Sequence, residues 1–375
     1  MRAVLLISRG SLTPALMVAA FLTGLALGTW VAVLPHFMAA DAPQVDPRIA
    51  AVNMLRQRFE TLLDGNTDRL RANYELDAVS GEWAWEKELA RARYLRTWLA
   101  ERGRALTGAR AWFEIDDVSS HSPDRFRLEI TEHALYQYVR LGAAPGPDHL
   151  LGSRTVHVLE VVRRGVRWQI EYDWYLDPLG DGSGEPSRGA AAAGDPPRLG
   201  ATAQRYDREK AVAYAVAHSG VRSVPGGGRY NKAYQVYSYE GGDCANFASQ
   251  VLSTGGLTQG YGWFHDRDGS VAWTCSGDLV WYLLASGRGR AVFRGQFAEA
   301  ILPSAESPRG PIGLLEPGDM IGYETEGQIS HVAVIVDFDP SGWPVIASHT
   351  ADRLFFPWDL GWDGDTVFWF VRIVY

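Results

Sequence analysis

From Gly10 to Ala40 the chain contains no Asp, Glu, Lys or Arg, and Ala15–Leu34 is a 20-residue apolar run bracketed by Pro14 and Pro35. At the rise of an α-helix that run is long enough to cross a bilayer. Arg2 and Arg9 stand before it, so the remainder of the chain is expected on the outer side of the membrane. Ala39, Ala40 and Ala42 supply the small residues of a cleavage region, so residues 1–44 fit either a signal peptide or a membrane anchor. The run exceeds the ~7–15 apolar residues of a secretory signal, which favours the retained anchor through residues 15–34. The expected location is the cell envelope, extracytoplasmic, whether anchored or secreted.

The other 330 or so residues (about two domains' worth) are globular in composition. Across the whole chain of 375 residues, 46% are hydrophobic, 21% are charged and the net charge is −8, which leaves no basic footprint for nucleic acid. Two cysteines, Cys244 and Cys275, exclude a disulfide scaffold and a cysteine-based zinc cluster.

Residues 45–179 read as a small α+β accessory domain. Ile49–Leu63 and Trp85–Arg102 have helical apolar spacing, and strand-like segments follow at 111–118, 125–139, 156–162 and 167–175, the last two joined by a turn at Arg164-Gly165. This order of elements resembles the cone-shaped, nuclear-transport-factor-like folds. Residues 180–205 are rich in Gly, Ala and Pro and read as a flexible linker. Residues 206–375 form the second domain, with helices expected at 208–218, 244–253 and 276–286 and strands at 320–323, 329–337, 345–349 and 367–374.

The chemistry-bearing segment is Gly241-Gly242-Asp243-Cys244-Ala245-Asn246-Phe247-Ala248-Ser249-Gln250. Asp243 suits an N-cap, which sets Cys244 at the first helical position, where unpaired N–H groups and the helix dipole favour a thiolate and can hold an oxyanion. The charge of Asp243 opposes that shift. A second segment, Ser330-His331-Val332-Ala333-Val334-Ile335, opens an apolar strand with a histidine. A hairpin symmetric about Pro340 brings His349 opposite His331 on one face, whereas a slip of one residue puts them on opposite faces. Asp352 is the competing partner for the base. A zinc site needs third and fourth ligands that no His-Glu-x-x-His or Cys-x-x-Cys supplies, so neither metal nor cofactor is expected.

Taken with Trp273, Pro317-Gly318-Asp319 and Ser348-His349-Thr350-Ala351-Asp352-Arg353, these blocks resemble the putative amidase domain family, related to the NlpC-type and CHAP-type cysteine hydrolases. The resemblance covers a little under half the chain. It implies a papain-like C-terminal domain, with Cys244 at a helix N-terminus and His331 on an antiparallel sheet. It implies Cys244 as nucleophile, His331 as base and His349 as orienter, with Tyr239, Asn246, Asp243 and Asp352 in oxyanion or supporting roles. Ala245 stands where the family usually has Thr or Ser, and Cys275 is an extra thiol. The expected activity is cysteine-dependent cleavage of an amide bond through a thioester, in cell-wall peptide or a peptidoglycan fragment. The alternative is a catalytically silent envelope binding or scaffold protein.

Overall fold

Long strands present backbone donors and acceptors along both edges, and here strands from distant parts of the chain pair with one another. The computed structural model describes residues 45–142, 148–180, 184–189, 205–238, 242–266, 268–305 and 307–375. The first half begins with helices α1 (Pro47–Asp64), α2 (Thr67–Arg71) and α3 (Val79–Glu101). Strands β1 (Arg104–Ser122), β2 (Arg125–Arg140), β3 (His149–Arg164) and β4 (Arg167–Trp174) follow as an antiparallel meander. The second half contributes α4 (Arg208–His218), α5 (Cys244–Thr254), α6 (Val271–Thr274) and α7 (Ser276–Ala285), then β5 (Gly289–Gln296) and α8 (Phe297–Ala300). It ends with β6 (Met320–Thr325), β7 (Gln328–Phe338), β8 (Pro344–Ser348), β9 (Asp352–Pro357) and β10 (Val367–Ile373).

All ten strands lie in one sheet, in the order β1-β2-β3-β9-β8-β7-β6-β10-β5, with β4 also paired to β3. Every pairing between named strands is antiparallel. This overturns the expectation of a papain-like C-terminal domain preceded by a separate small α+β domain. The seam is β3 against β9, through Gly152↔Leu354, Ser153↔Arg353 and Arg154↔Asp352. Gly152 is required there, because a Cβ would lie 2.4 Å from Ser223 Oγ and 2.8 Å from Val221 Cγ1. The open edge that β3 leaves beyond β4 is thereby paired by the C-terminal half, which removes an exposed ladder.

The two faces of the sheet bury different cores. Val332, Val334 and Ala347 face the side covered by α4, α5 and α7, where Phe247, Ala248, Val251 and Leu252 are fully buried. Ala333, Ile335, Ile346 and Tyr323 face the opposite side, with Trp98, Trp343, Trp358 and Phe368. On that side Asp359 joins the halves. Its Oδ2 accepts from Trp98 Nε1 (2.8 Å) and from Arg102 Nη2 (2.7 Å), and its Oδ1 from Trp343 Nε1 (2.8 Å). Arg102 and Asp359 are both almost fully buried.

A buried pair that loses one member leaves the other charge without water or partner. Asp359→Ala is therefore expected to destabilise the protein by about 3–5 kcal/mol, read by urea unfolding. A loss below about 1 kcal/mol would show that this carboxylate does not hold the two halves together.

Candidate active site

α5 forms where the sequence places it. Its buried stripe of Phe247, Ala248, Val251 and Leu252 recurs at helical spacing, and Gly255 closes it. Cys244 is the first helical residue, 6% exposed. Its Sγ lies 3.1 Å from Ser276 Oγ, and the backbone N–H groups of Ala245 and Val332 bear on its ionisation. Ser276 is itself the first residue of α7, so two helix starts meet at the sulfur. Burial raises the thiol above its ordinary range. The Ser276, Val332 and Ala245 hydrogen bonds oppose that rise, and the charge of Asp243 adds to it.

Asp243 does not cap α5 with its side chain. The carboxylate turns back instead. Oδ1 accepts from the Tyr237 N–H (2.8 Å) and from Asn246 Nδ2 (2.9 Å), and Oδ2 accepts from His349 Nδ1 (2.5 Å). The Asp243 N–H in turn donates to Thr350 Oγ1 (2.6 Å). His349 Nε2 donates to the His218 carbonyl (2.8 Å), and the ring lies between Tyr230 (3.7 Å) and Phe247 (4.1 Å). Asp352 does not touch the ring. It accepts from Tyr230 OH (2.5 Å) and Arg154 Nη1 (3.1 Å), and so fixes the tyrosine that stacks on His349. Asn246 is spent on structure too, accepting from Trp273 Nε1 and donating to the Gln235 carbonyl. Tyr239 and Gly241 lie outside the described residues.

His331 is elsewhere. It pairs with Tyr323 and faces Tyr323 and Trp362 (ring centroids 5.6 Å from each), whereas the next residue, Val332, faces α5. Successive residues of a strand point to opposite faces, so Cys244 and His331 are separated by the sheet. The β7–β8 register explains why His349 does not join it. Val334 pairs with Ala347 and Ile335 with Ile346, one residue displaced from a hairpin symmetric about Pro340. The imidazole brought to the Cys244 side is therefore His349, and the imidazole expected as base is not.

A cleft of about 760 Å³ opens over the thiol. Gly242, Cys244, Thr274, Cys275 and Ser276 line one part of it, and Asp278 and Trp281 of α7 line another. The remaining wall is Arg294 of β5, Glu324 of β6, Trp369 of β10, Gly327 and the first three residues of β7. Motif reading missed Ser276, Tyr230 and the Arg294–Glu324 wall. Ser276 follows Cys275 at a helix start and was readable as such, but the others come from distant segments that only pairing brings together. Among the described residues no cluster of His, Cys, Asp and Glu is arranged to hold a metal ion.

Residues 205–371 match the family model described as a putative amidase domain, which suggests a hydrolase. No curated protein matches the chain. A crystal structure of a putative scytalone dehydratase from Novosphingobium aromaticivorans is similar at 13% identity, covering 34% of this chain and 81% of that one, with a TM-score of 0.25. A likeness that loose fixes neither fold nor activity.

Burial, with the nearby Arg353 charge, pushes His331 down to about 3, and its Nε2 has no hydrogen-bond partner among the described residues. The unfolded chain takes up a proton below the ordinary value of 6.5, and the folded chain does not until about 3. Stability from this group is full above pH 6.5 and falls as pH drops toward 3, with a steepest slope of about 1.4 kcal/mol per pH unit. His331→Leu is expected to flatten the acid limb of stability against pH by that amount. Parallel curves for the two proteins would refute a neutral, buried His331.

Proposed function

We propose that residues 205–371 act as a thiol-dependent amidase with Cys244 as nucleophile. The sulfur adds to an amide carbonyl, the thiol proton passes to the leaving amine, and water then cleaves the thioester to release the acid and restore the thiol. The observation that carries this reading is the placement of Sγ at the start of α5 on the wall of an open cleft, beside Ser276 Oγ. The first-turn N–H groups of the helix serve the developing oxyanion. Asp243 and His349 position the loop that delivers Cys244. The substrate we assign is a peptide amide of the cell wall, because residues 15–34 would hold the chain at the outer face of a membrane.

The absence of any imidazole contact to Sγ among the described residues has a pH consequence. A thiol raised by burial forms thiolate only in the alkaline range. Iodoacetamide labelling of Cys244 in the reduced full chain, mapped by mass spectrometry, is expected to accelerate with pH beyond the ordinary thiol range, with no step between pH 6 and 7. Release of amine from peptidoglycan fragments should follow the same profile and vanish in Cys244→Ala. A step near pH 6.5 that His331→Asn or His349→Asn removes would put an imidazole beside the sulfur and overturn this arrangement. Amine release undiminished in Cys244→Ala would end the thiol reading. Labelling without any amine release would favour the silent binding protein, a reading that the neutral resting thiol also supports.

A further inference from the structure

The sheet wall of the Cys244 cleft carries a group that the proposed chemistry does not use. Arg294, Trp369 and Glu324 are brought together by strand pairing. Arg294 and Trp369 are register partners on β5 and β10, and Glu324 lies on β6, the next strand. Glu324 is spent entirely within this group. Its Oε1 accepts from Arg294 Nη2 (2.7 Å), and its Oε2 accepts from Arg294 Nε (3.1 Å) and Trp369 Nε1 (2.7 Å). The Arg294 side chain is 52% exposed, and among the described residues nothing accepts from its Nη1. The guanidinium lies 5.1 Å from the Trp369 ring, and Trp281, 58% exposed, stands edge-on to that ring at 5.5 Å. Asp278 occupies the α7 wall and repels an anion there.

We propose that Arg294 is the specificity-determining residue of this cleft and selects a substrate that carries a free carboxylate, with Trp281 and Trp369 packing against the adjoining peptide chain. The assignment rests on reading the Cys244 cleft as the substrate site. A guanidinium has five N–H donors in a fixed fork. Three of these belong to Nε and Nη2, which Glu324 engages, and the two on Nη1 are left for an incoming acceptor. Glu324 fixes the plane of the fork and holds the Trp369 indole beside it, so the donor edge is set before a ligand arrives and little side-chain freedom is lost on binding. The negative Asp278 on the other wall sends the carboxylate to the sheet side.

The test separates recognition from chemistry. Acetyl-Ala-Ala with a free carboxylate and the same peptide as its carboxamide are titrated calorimetrically into the full chain carrying Cys244→Ala, so that no turnover is needed. The acid is expected to bind about tenfold more tightly than the carboxamide, the size of one charge-assisted hydrogen bond. Arg294→Gln should remove that preference, and Arg294→Lys, which keeps the charge beside Glu324 but lacks the fork, should fall between. Equal binding of acid and carboxamide to the parent protein, or a preference that survives Arg294→Gln, would overturn the assignment. Failure of the thiol chemistry appears separately, as loss of amine release with this preference intact.

Discussion

The carboxylate of Asp243 is the point on which the second half of this protein turns. It gathers an imidazole, a backbone N–H from the preceding loop and an amide from its own helix, while its backbone N–H reaches Thr350. Thr350 and Ala351 both adopt positive φ (59° and 60°), a conformation that side chains disfavour. The tight turn between β8 and β9 persists because Asp243 and Thr350 hold each other. The residue after Asp243 is Cys244, so the direction of the thiol is inherited from this knot. Had the carboxylate capped α5 instead, His349 would have lost this hydrogen-bond acceptor.

The same turn leads into β9, and β9 is the strand that meets β3. The site and the seam therefore share a support. Asp352, the first residue of β9, accepts from Tyr230, which stacks on His349, and from Arg154 of β3. Through this carboxylate the imidazole on the Cys244 side is tied to the first half of the chain. Arg104 and Tyr138, from β1 and β2, reach Asp339 in the β7–β8 turn in the same way (2.5 and 2.9 Å). Residues 45–179 thus brace the sheet on which the cleft is built.

Much of this was legible from residue patterns. The helices at 208–218, 244–254 and 276–285 follow from apolar spacing and stop signals, and the strands at 320–325, 328–338 and 367–373 follow from runs of Val, Ile and Phe. The placement of Cys244 at a helix start was legible for the same reason. The partner of the thiol was not, because it depends on register. A displacement of one residue in the β7–β8 hairpin decides which histidine shares its face, and Ile335, Val336 and Asp337 absorb a bulge that spacing does not announce. The continuity of the sheet was also hidden. Gly152 to Arg154 carry no sign that they await residues 352–354, and the Gly-, Ala- and Pro-rich stretch between the halves read as a divider. The Arg294–Glu324–Trp369 wall joins three strands that are far apart in the chain, a coincidence of pairing that no local motif encodes.

The β3–β9 seam also bears on how the chain is made. Residues 152–154 emerge early in synthesis, and the residues that pair with them come some two hundred positions later. Until that segment arrives, β3 presents unpaired backbone groups along the stretch beyond β4, the kind of edge that recruits other chains. Closure depends on contacts of very long sequence separation, which are slow to form. Nascent or truncated chains ending before Asp352 are then the species most in need of a chaperone, and folding quality turns on the arrival of residues 352–354.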